Sequence, residues 1–304
     1  MSRLFDALKE SVHSRQGPTD KAAEEVWETL GIDPVDTPVA ADDPDINRSE
    51  LAPGVTDELA APFPDEDLLQ ASDVALDEPP GTAAKVALDP TARLIPHSAD
   101  PAVAEYYRKL RTKILQQKAE RNFGSLVVTS AGPQEGKTVT TLNLGLSFAM
   151  LPSFKVLVVD GDVRRGTLGK WLGVDELHSG LGNLIDGSAQ LDEVLLKSDD
   201  VPMHFIVRGH STISDLDSSH FARHFQRLTE LYDLVLVDSA PVNLIADVQL
   251  LAASCDAVLL VARAFSTTQK ALEKAVQDLK RFRLIGTVLN CGVGQAYSYR
   301  ANYS

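Results

Sequence analysis

The sequence is short of cysteine, of long apolar runs and of basic excess, and each shortage excludes a class of protein. Two cysteines in 304 residues cannot build a disulfide framework. Cys255 and Cys291 sit at the edges of apolar runs, where small buried residues are common, so a reducing compartment is expected. No apolar run reaches the roughly 18 residues of a membrane-spanning helix. Residues 1–20 lack the apolar stretch of a secretory leader, which points to a soluble, cytoplasmic chain. Lys and Arg number 29 against 43 Asp and Glu, and no basic stripe marks a nucleic-acid partner.

The acidity is unevenly placed. Residues 1–95 hold 7 Lys/Arg and 21 Asp/Glu, a net of −14 that accounts for the whole chain's charge; residues 96–304 are neutral. The same segment holds 10 of the 16 prolines and few aromatics. Such a composition buries too little surface to offset its ordering entropy, so residues 1–95 are expected to be a largely disordered acidic arm. Two stretches in it, 2–13 (Leu4, Phe5, Leu8, Val12) and 20–30 (Ala23, Val26, Trp27, Leu30), put apolar residues on one helical face. At that length transient helix is favoured over a docking element.

What is present is concentrated between Leu126 and Met150. Leu126-Val127-Val128 reads as a buried strand, and Val139 to Met150 recurs at helical spacing. Between them lies Ala131-Gly132-Pro133-Gln134-Glu135-Gly136-Lys137-Thr138. A strand that opens through such a loop into a helix is suited to phosphate: backbone N–H groups surround the anion and the helix N-terminus adds partial positive charge. Lys137 would reach the β- and γ-phosphates and Thr138 would sit on Mg²⁺. The match to the P-loop pattern is a variant, because Ala131 stands at the first glycine position and Gly132 one place later.

Before this unit, Asp100-Pro101 starts a helix with apolar residues at Val103, Tyr107, Leu110 and Ile114. Glu105, Arg108 and Arg111 step by three residues along a second arc, either as a solvated face or as a contact stripe. After it, apolar runs at 156–159, 205–207, 234–237, 257–262 and 285–289 alternate with helical patterns. That alternation predicts a mainly parallel, doubly wound α/β sheet covered on both faces. Ser266 and Gln269 form an expected capping box for a helix carrying Leu272, Ala275, Val276, Leu279 and Phe282.

In open α/β sheets ligands bind outside the carboxyl ends of the strands. Asp160, Asp162 and Asp238 occupy such ends, as does the P-loop. Carboxylates beside bound phosphates need a cation, and Mg²⁺ takes oxygen ligands of this kind. A remaining carboxylate could accept a proton from an attacking hydroxyl. Arg164 could neutralise the aspartates or contact phosphate; the spacing does not separate the two.

This set resembles the bacterial tyrosine kinases of capsule and exopolysaccharide systems. The resemblance rests on the P-loop 131–138, on an apolar strand ending Asp160-x-Asp162-x-Arg164, on a strand ending Asp238-Ser239-Ala240-Pro241, and on Glu105-x-x-Arg108-x-x-Arg111. It covers residues 100–292, and the Asp-x-Asp-x-Arg motif discriminates best. It implies a P-loop kinase domain over 96–292 that uses ATP and Mg²⁺. Residues 131–139 with Arg164 and Asn290 would hold the nucleotide, and Thr138, Asp160, Asp162 and Asp238 the metal. Lys137 and the three aspartates would carry catalysis. Asn290 resembles the base-side asparagine of the family, though a strand-end turn fits it nearly as well. Members phosphorylate their own C-terminal tyrosines, and Tyr297, Tyr299 and Tyr303 fall in the tail 293–304. The arginine stripe implies ring-type self-association. Lack of the membrane helices found in fused members implies a separate transmembrane activator, a polysaccharide co-polymerase, holding the chain at the inner face of the membrane. A cognate tyrosine phosphatase would complete the system.

Two departures from the family pattern stand out: Gly166 follows the arginines where proline is usual, and Ala240 replaces a proline. Two other functions compete with the kinase. A partitioning-type ATPase switch would carry a second lysine five residues before Lys137, where Gly132 stands. A non-catalytic nucleotide-binding regulator would not need Lys137, Asp160, Asp162 and Asp238 all intact.

Overall fold

The computed structural model describes residues 84–89, 94–95, 101–211, 218–245 and 247–291. The stretches 2–13 and 20–30, the Asp100 cap and the tail tyrosines lie outside these residues.

Eight strands make one sheet: β1 (Ala84–Val86), β2 (Ser125–Ser130), β3 (Val156–Asp160), β4 (Leu196–Ser198), β5 (Met203–Ile206), β6 (Leu234–Asp238), β7 (Ala257–Arg263) and β8 (Leu284–Asn290). Their order is β1-β4-β5-β3-β6-β2-β7-β8, and every pair is parallel except β4 with β5. All six residues of β2 and all five of β3 and β6 are buried. That explains their continuous apolar runs, since a parallel strand covered on both faces has no solvent side to alternate towards.

The pleat sends successive residues to opposite cores. Leu126, Val128, Val158 and Leu236 join one cluster with Leu142, Leu146 and Phe148 of α2 (Lys137–Ala149) and Ile114 of α1 (Pro101–Arg121). Val127, Leu157, Val159 and Val237 join the other. There they meet α4 (Leu181–Ile185), α5 (Leu191–Val194), α6 (Ser218–Leu231), α7 (Asp247–Ser254) and α8 (Gln269–Leu279). The short α3 (Leu168–Trp171) instead buries Leu168 in the first cluster. This is the doubly wound, P-loop NTPase-like arrangement.

Three expectations need correction. The packed domain begins before residue 96: β1 pairs with β4, Leu88 and Leu94 are buried, and Ile95 N–H donates to Asn143 Oδ1 at 2.7 Å. The acidic run has already ended there, since Asp89 is the single acidic residue between 81 and 95. The α8 cap is Thr268, whose hydroxyl accepts from Ala271 N–H; Ser266 instead turns back to the Arg263 carbonyl. Cys291 is exposed, because it follows the edge strand β8 in a left-handed conformation.

Candidate functional site

Because β2, β3, β6, β7 and β8 run parallel, their last residues open on one edge of the sheet. The loop after β2 lies there, and so do Asp160, Asp238, Arg263 and Asn290. Gly136 caps α2 at φ 94 and Gln134 has φ 58, so the loop turns twice through the left-handed region. For Gly136 there is a steric reason as well: a Cβ would overlap the Asn290 amide. Ala131, at the first glycine position of the pattern, is not among the residues of positive φ, so its methyl is tolerated.

Thr138 Oγ1 donates to Asp238 Oδ2 at 2.6 Å. Asp238 Oδ1 is buried with no partner. Asp160 pairs in register with Asp238 across β3 and β6. Its Oδ2 accepts from Leu168 N–H at 2.9 Å and its Oδ1 from Asp162 N–H at 3.3 Å. The loop from 161 to 168 therefore wraps the Asp160 carboxylate, and Gly166 lies so close that a Cβ would collide with it. Asp162 is half-buried and accepts from Arg165 N–H at 2.9 Å.

The electrostatics follow from burial. Desolvation pushes the Asp160 carboxyl well above the ordinary carboxylate range, and the facing Asp238 adds to it. Asp238 is raised by burial too, with the Lys137 ammonium and the Thr138 hydrogen bond acting against the rise. Among the described residues no three His, Cys, Asp or Glu side chains gather into a group able to hold a metal ion alone. The donors fit Mg²⁺ in another way. That ion binds through one or two protein oxygens and completes its octahedron with phosphates and water. The Thr138 hydroxyl and the unpartnered Asp238 oxygen are such a pair.

No protein-family model matches the chain. The tyrosine-protein kinase CpsD of Streptococcus pneumoniae is 31% identical over 193 residues, covering 61% of this chain and 83% of CpsD. The chain belongs to the bacterial tyrosine kinase family. A putative tyrosine-protein kinase CapB of Staphylococcus aureus is 27% identical over 193 residues, 62% of this chain and 84% of CapB. The kinase domain of the Escherichia coli tyrosine kinase ETK superposes with a TM-score of 0.58 at 28% identity, covering 66% of this chain and 80% of that one.

In this family member the sequence-selected residues do not all meet. Asp238 is hydrogen-bonded by Thr138, lies in register with Asp160, and is within electrostatic reach of Lys137 and Asp162. Arg164, considered for the aspartates or for phosphate, is exposed and ion-paired with Asp247 at the start of α7. Asn290 reaches the P-loop itself, donating from Nδ2 to the Glu135 carbonyl at 2.9 Å. On α1, Arg108 is exposed and pairs with Glu105 at 3.1 Å. Arg111 turns inward and donates to the Ser147 carbonyl on α2. Three residues that the sequence did not single out touch this region: Thr267 and Arg263 bond to the P-loop, and Asp247 to Arg164. Their partners lie more than 80 positions away, and no local pattern announces them. No helix among the described residues is long and apolar enough to cross a membrane.

Proposed function

We propose that this kinase transfers the γ-phosphoryl group of ATP to tyrosines 297, 299 and 303 of another copy of the same chain. The observation that carries this reading is the Thr138–Asp238 bond beside the buried Asp160, at the mouth of the P-loop.

In this reading the N–H groups of residues 131–136 and the Lys137 ammonium hold the phosphates. Arg164 and Asn290 lie at the margins of the nucleotide. Thr138 and Asp238 would hold Mg²⁺, with Asp162 near it; the ion's role when bound is to neutralise charge on the transferring group. Asp160 supplies the proton chemistry. Burial raises its proton affinity, which suits a carboxylate that must take the hydroxyl proton as a tyrosine oxygen bonds to phosphorus and ADP departs.

The exposed Glu105–Arg108 pair would bring copies together in a ring, with Arg111 bracing the helix that carries it. A transmembrane co-polymerase would hold the assembly at the inner face of the cell membrane and activate it, and a phosphatase would reverse the reaction. The output would be control of capsule or exopolysaccharide synthesis and export.

The test uses the purified chain with Mg·ATP, alone and with membranes from the cells that make it, followed by phosphosite mapping. Phosphotyrosine that is lost in Lys137→Met supports the kinase reading. Nucleotide turnover with no phosphotyrosine under either condition would sink it.

A further inference from the structure

The crest of the P-loop is held from outside by three side chains. Arg263 Nη1 donates to the Gln134 carbonyl at 3.0 Å, and Asn290 Nδ2 donates to the Glu135 carbonyl at 2.9 Å. Thr267 Oγ1 donates to Glu135 Oε1 at 2.6 Å while accepting from the Arg263 backbone N–H at 2.8 Å. Glu135 is 5% exposed, so its carboxylate is buried in the loop and faces the β7–α8 connection. Arg263 and Asn290 are the last residues of β7 and β8 and are paired in register. The clasp is therefore built on sheet ends rather than on loose loops.

Peptide geometry gives the clasp a consequence. In a trans peptide the N–H of one residue points opposite the carbonyl of the residue before it. With the Gln134 and Glu135 carbonyls turned outward to Arg263 and Asn290, the N–H groups of Glu135 and Gly136 are turned the other way, into the hollow of the loop. A non-glycine residue in the left-handed region, as Gln134 is, is disfavoured and persists only where its surroundings hold it. We propose that Glu135, Thr267, Arg263 and Asn290 act as positioning residues that pre-aim the P-loop N–H groups at phosphate.

This rests on the nucleotide-binding reading of the loop and adds side-chain roles for residues on two other elements. Asn290 Oδ1 also accepts from Cys291 N–H at 2.9 Å, so both polar atoms of the side chain that aims the loop are engaged.

The experiment measures Mg·ADP affinity by titration calorimetry for wild type, Thr267→Val and Thr267→Ser, with urea unfolding of each nucleotide-free protein. Valine keeps the shape of threonine and removes the hydroxyl, whereas serine restores it. Losing the hydroxyl that orients Glu135 should weaken Mg·ADP by about tenfold in Thr267→Val. Thr267→Ser should stay within about threefold of wild type, well inside the tenfold step of 1.4 kcal/mol. Asn290→Ala should weaken binding as well. Wild-type affinity in Thr267→Val, or an equal loss in Thr267→Ser, overturns the positioning role. A wild-type protein that binds no Mg·ADP at all would instead overturn the nucleotide-binding reading on which the role rests.

Discussion

Asp160 and Asp238 face each other as the last residues of adjacent parallel strands, 0% and 3% exposed. Two buried carboxylates at one register position repel, and neither carries a salt bridge among the described residues. The fold tolerates this because the Leu168 N–H and the Thr138 hydroxyl donate hydrogen bonds to the two carboxylates. The arrangement sacrifices some stability for a site that attracts cations and protons, as functional sites often do.

Asp238→Asn should separate the two effects. The amide keeps an acceptor for Thr138 and removes one of the facing charges. Each unit by which a pKa is displaced corresponds to about 1.4 kcal/mol, so the nucleotide-free protein should gain about 1 kcal/mol in urea unfolding. The additional stabilisation that Mg²⁺ gives in the presence of ADP should disappear. An unchanged Mg²⁺ dependence would place the metal elsewhere.

Stability should fall as pH rises. The folded-state pKa values of Asp160 and Asp238 lie above those of the unfolded chain. Once the unfolded carboxylates ionise, the native state binds more protons than the unfolded one, and the slope of unfolding free energy with pH is negative. The loss runs from the ordinary carboxylate range, about pH 4, upward through the raised native values. Denaturant midpoints for the nucleotide-free protein should therefore drop between pH 5.5 and 8, and Asp160→Asn should flatten that slope.

Gly166→Ala tests the close wrapping of Asp160. The new methyl would collide with the carboxylate, so the cost should be about 1–3 kcal/mol, typical of overpacking. Wild-type stability in thermal unfolding would show that the 161–168 loop is free to move away. The proline usual at this position in the family would also lack the N–H that Gly166 donates to the Asp162 carbonyl at 2.6 Å.

These predictions depend on features with very different visibility in the sequence. The central strands were legible because burial on both faces writes a continuous apolar run. The Gly136-Lys137-Thr138 turn was legible because its chemistry is local. β1 (Ala-Lys-Val) and β4 (Leu-Lys-Ser) were not, since three-residue strands with an exposed lysine resemble loop. The clasp of Glu135 with Thr267 was hidden for another reason: a buried glutamate is recognisable only from its partner, 132 residues away. The arginine stripe divided once the helix was placed, because an arc of three residues spans both the solvent and the α2 contact.

That division makes a prediction of its own. Arg108→Ala removes an exposed i,i+3 pair worth about 0.2–1 kcal/mol, so monomer stability should barely change while light scattering shifts towards monomer. Arg111→Ala removes a charged donor from the carbonyl of buried Ser147 and should cost about 1.5–3 kcal/mol in urea. An unchanged assembly mass in Arg108→Ala would remove this pair from the subunit contact.

The most direct test of the account mixes two chains distinguishable by mass. One carries Lys137→Met with its tail tyrosines intact, and the other is active but has Tyr297, Tyr299 and Tyr303 each replaced by phenylalanine. Incubated together with Mg·ATP and cell membranes, the Lys137→Met chain should acquire phosphate on its tail tyrosines, although it acquires none when incubated alone. Continued ATP consumption with no phosphotyrosine on that chain would contradict transfer between copies.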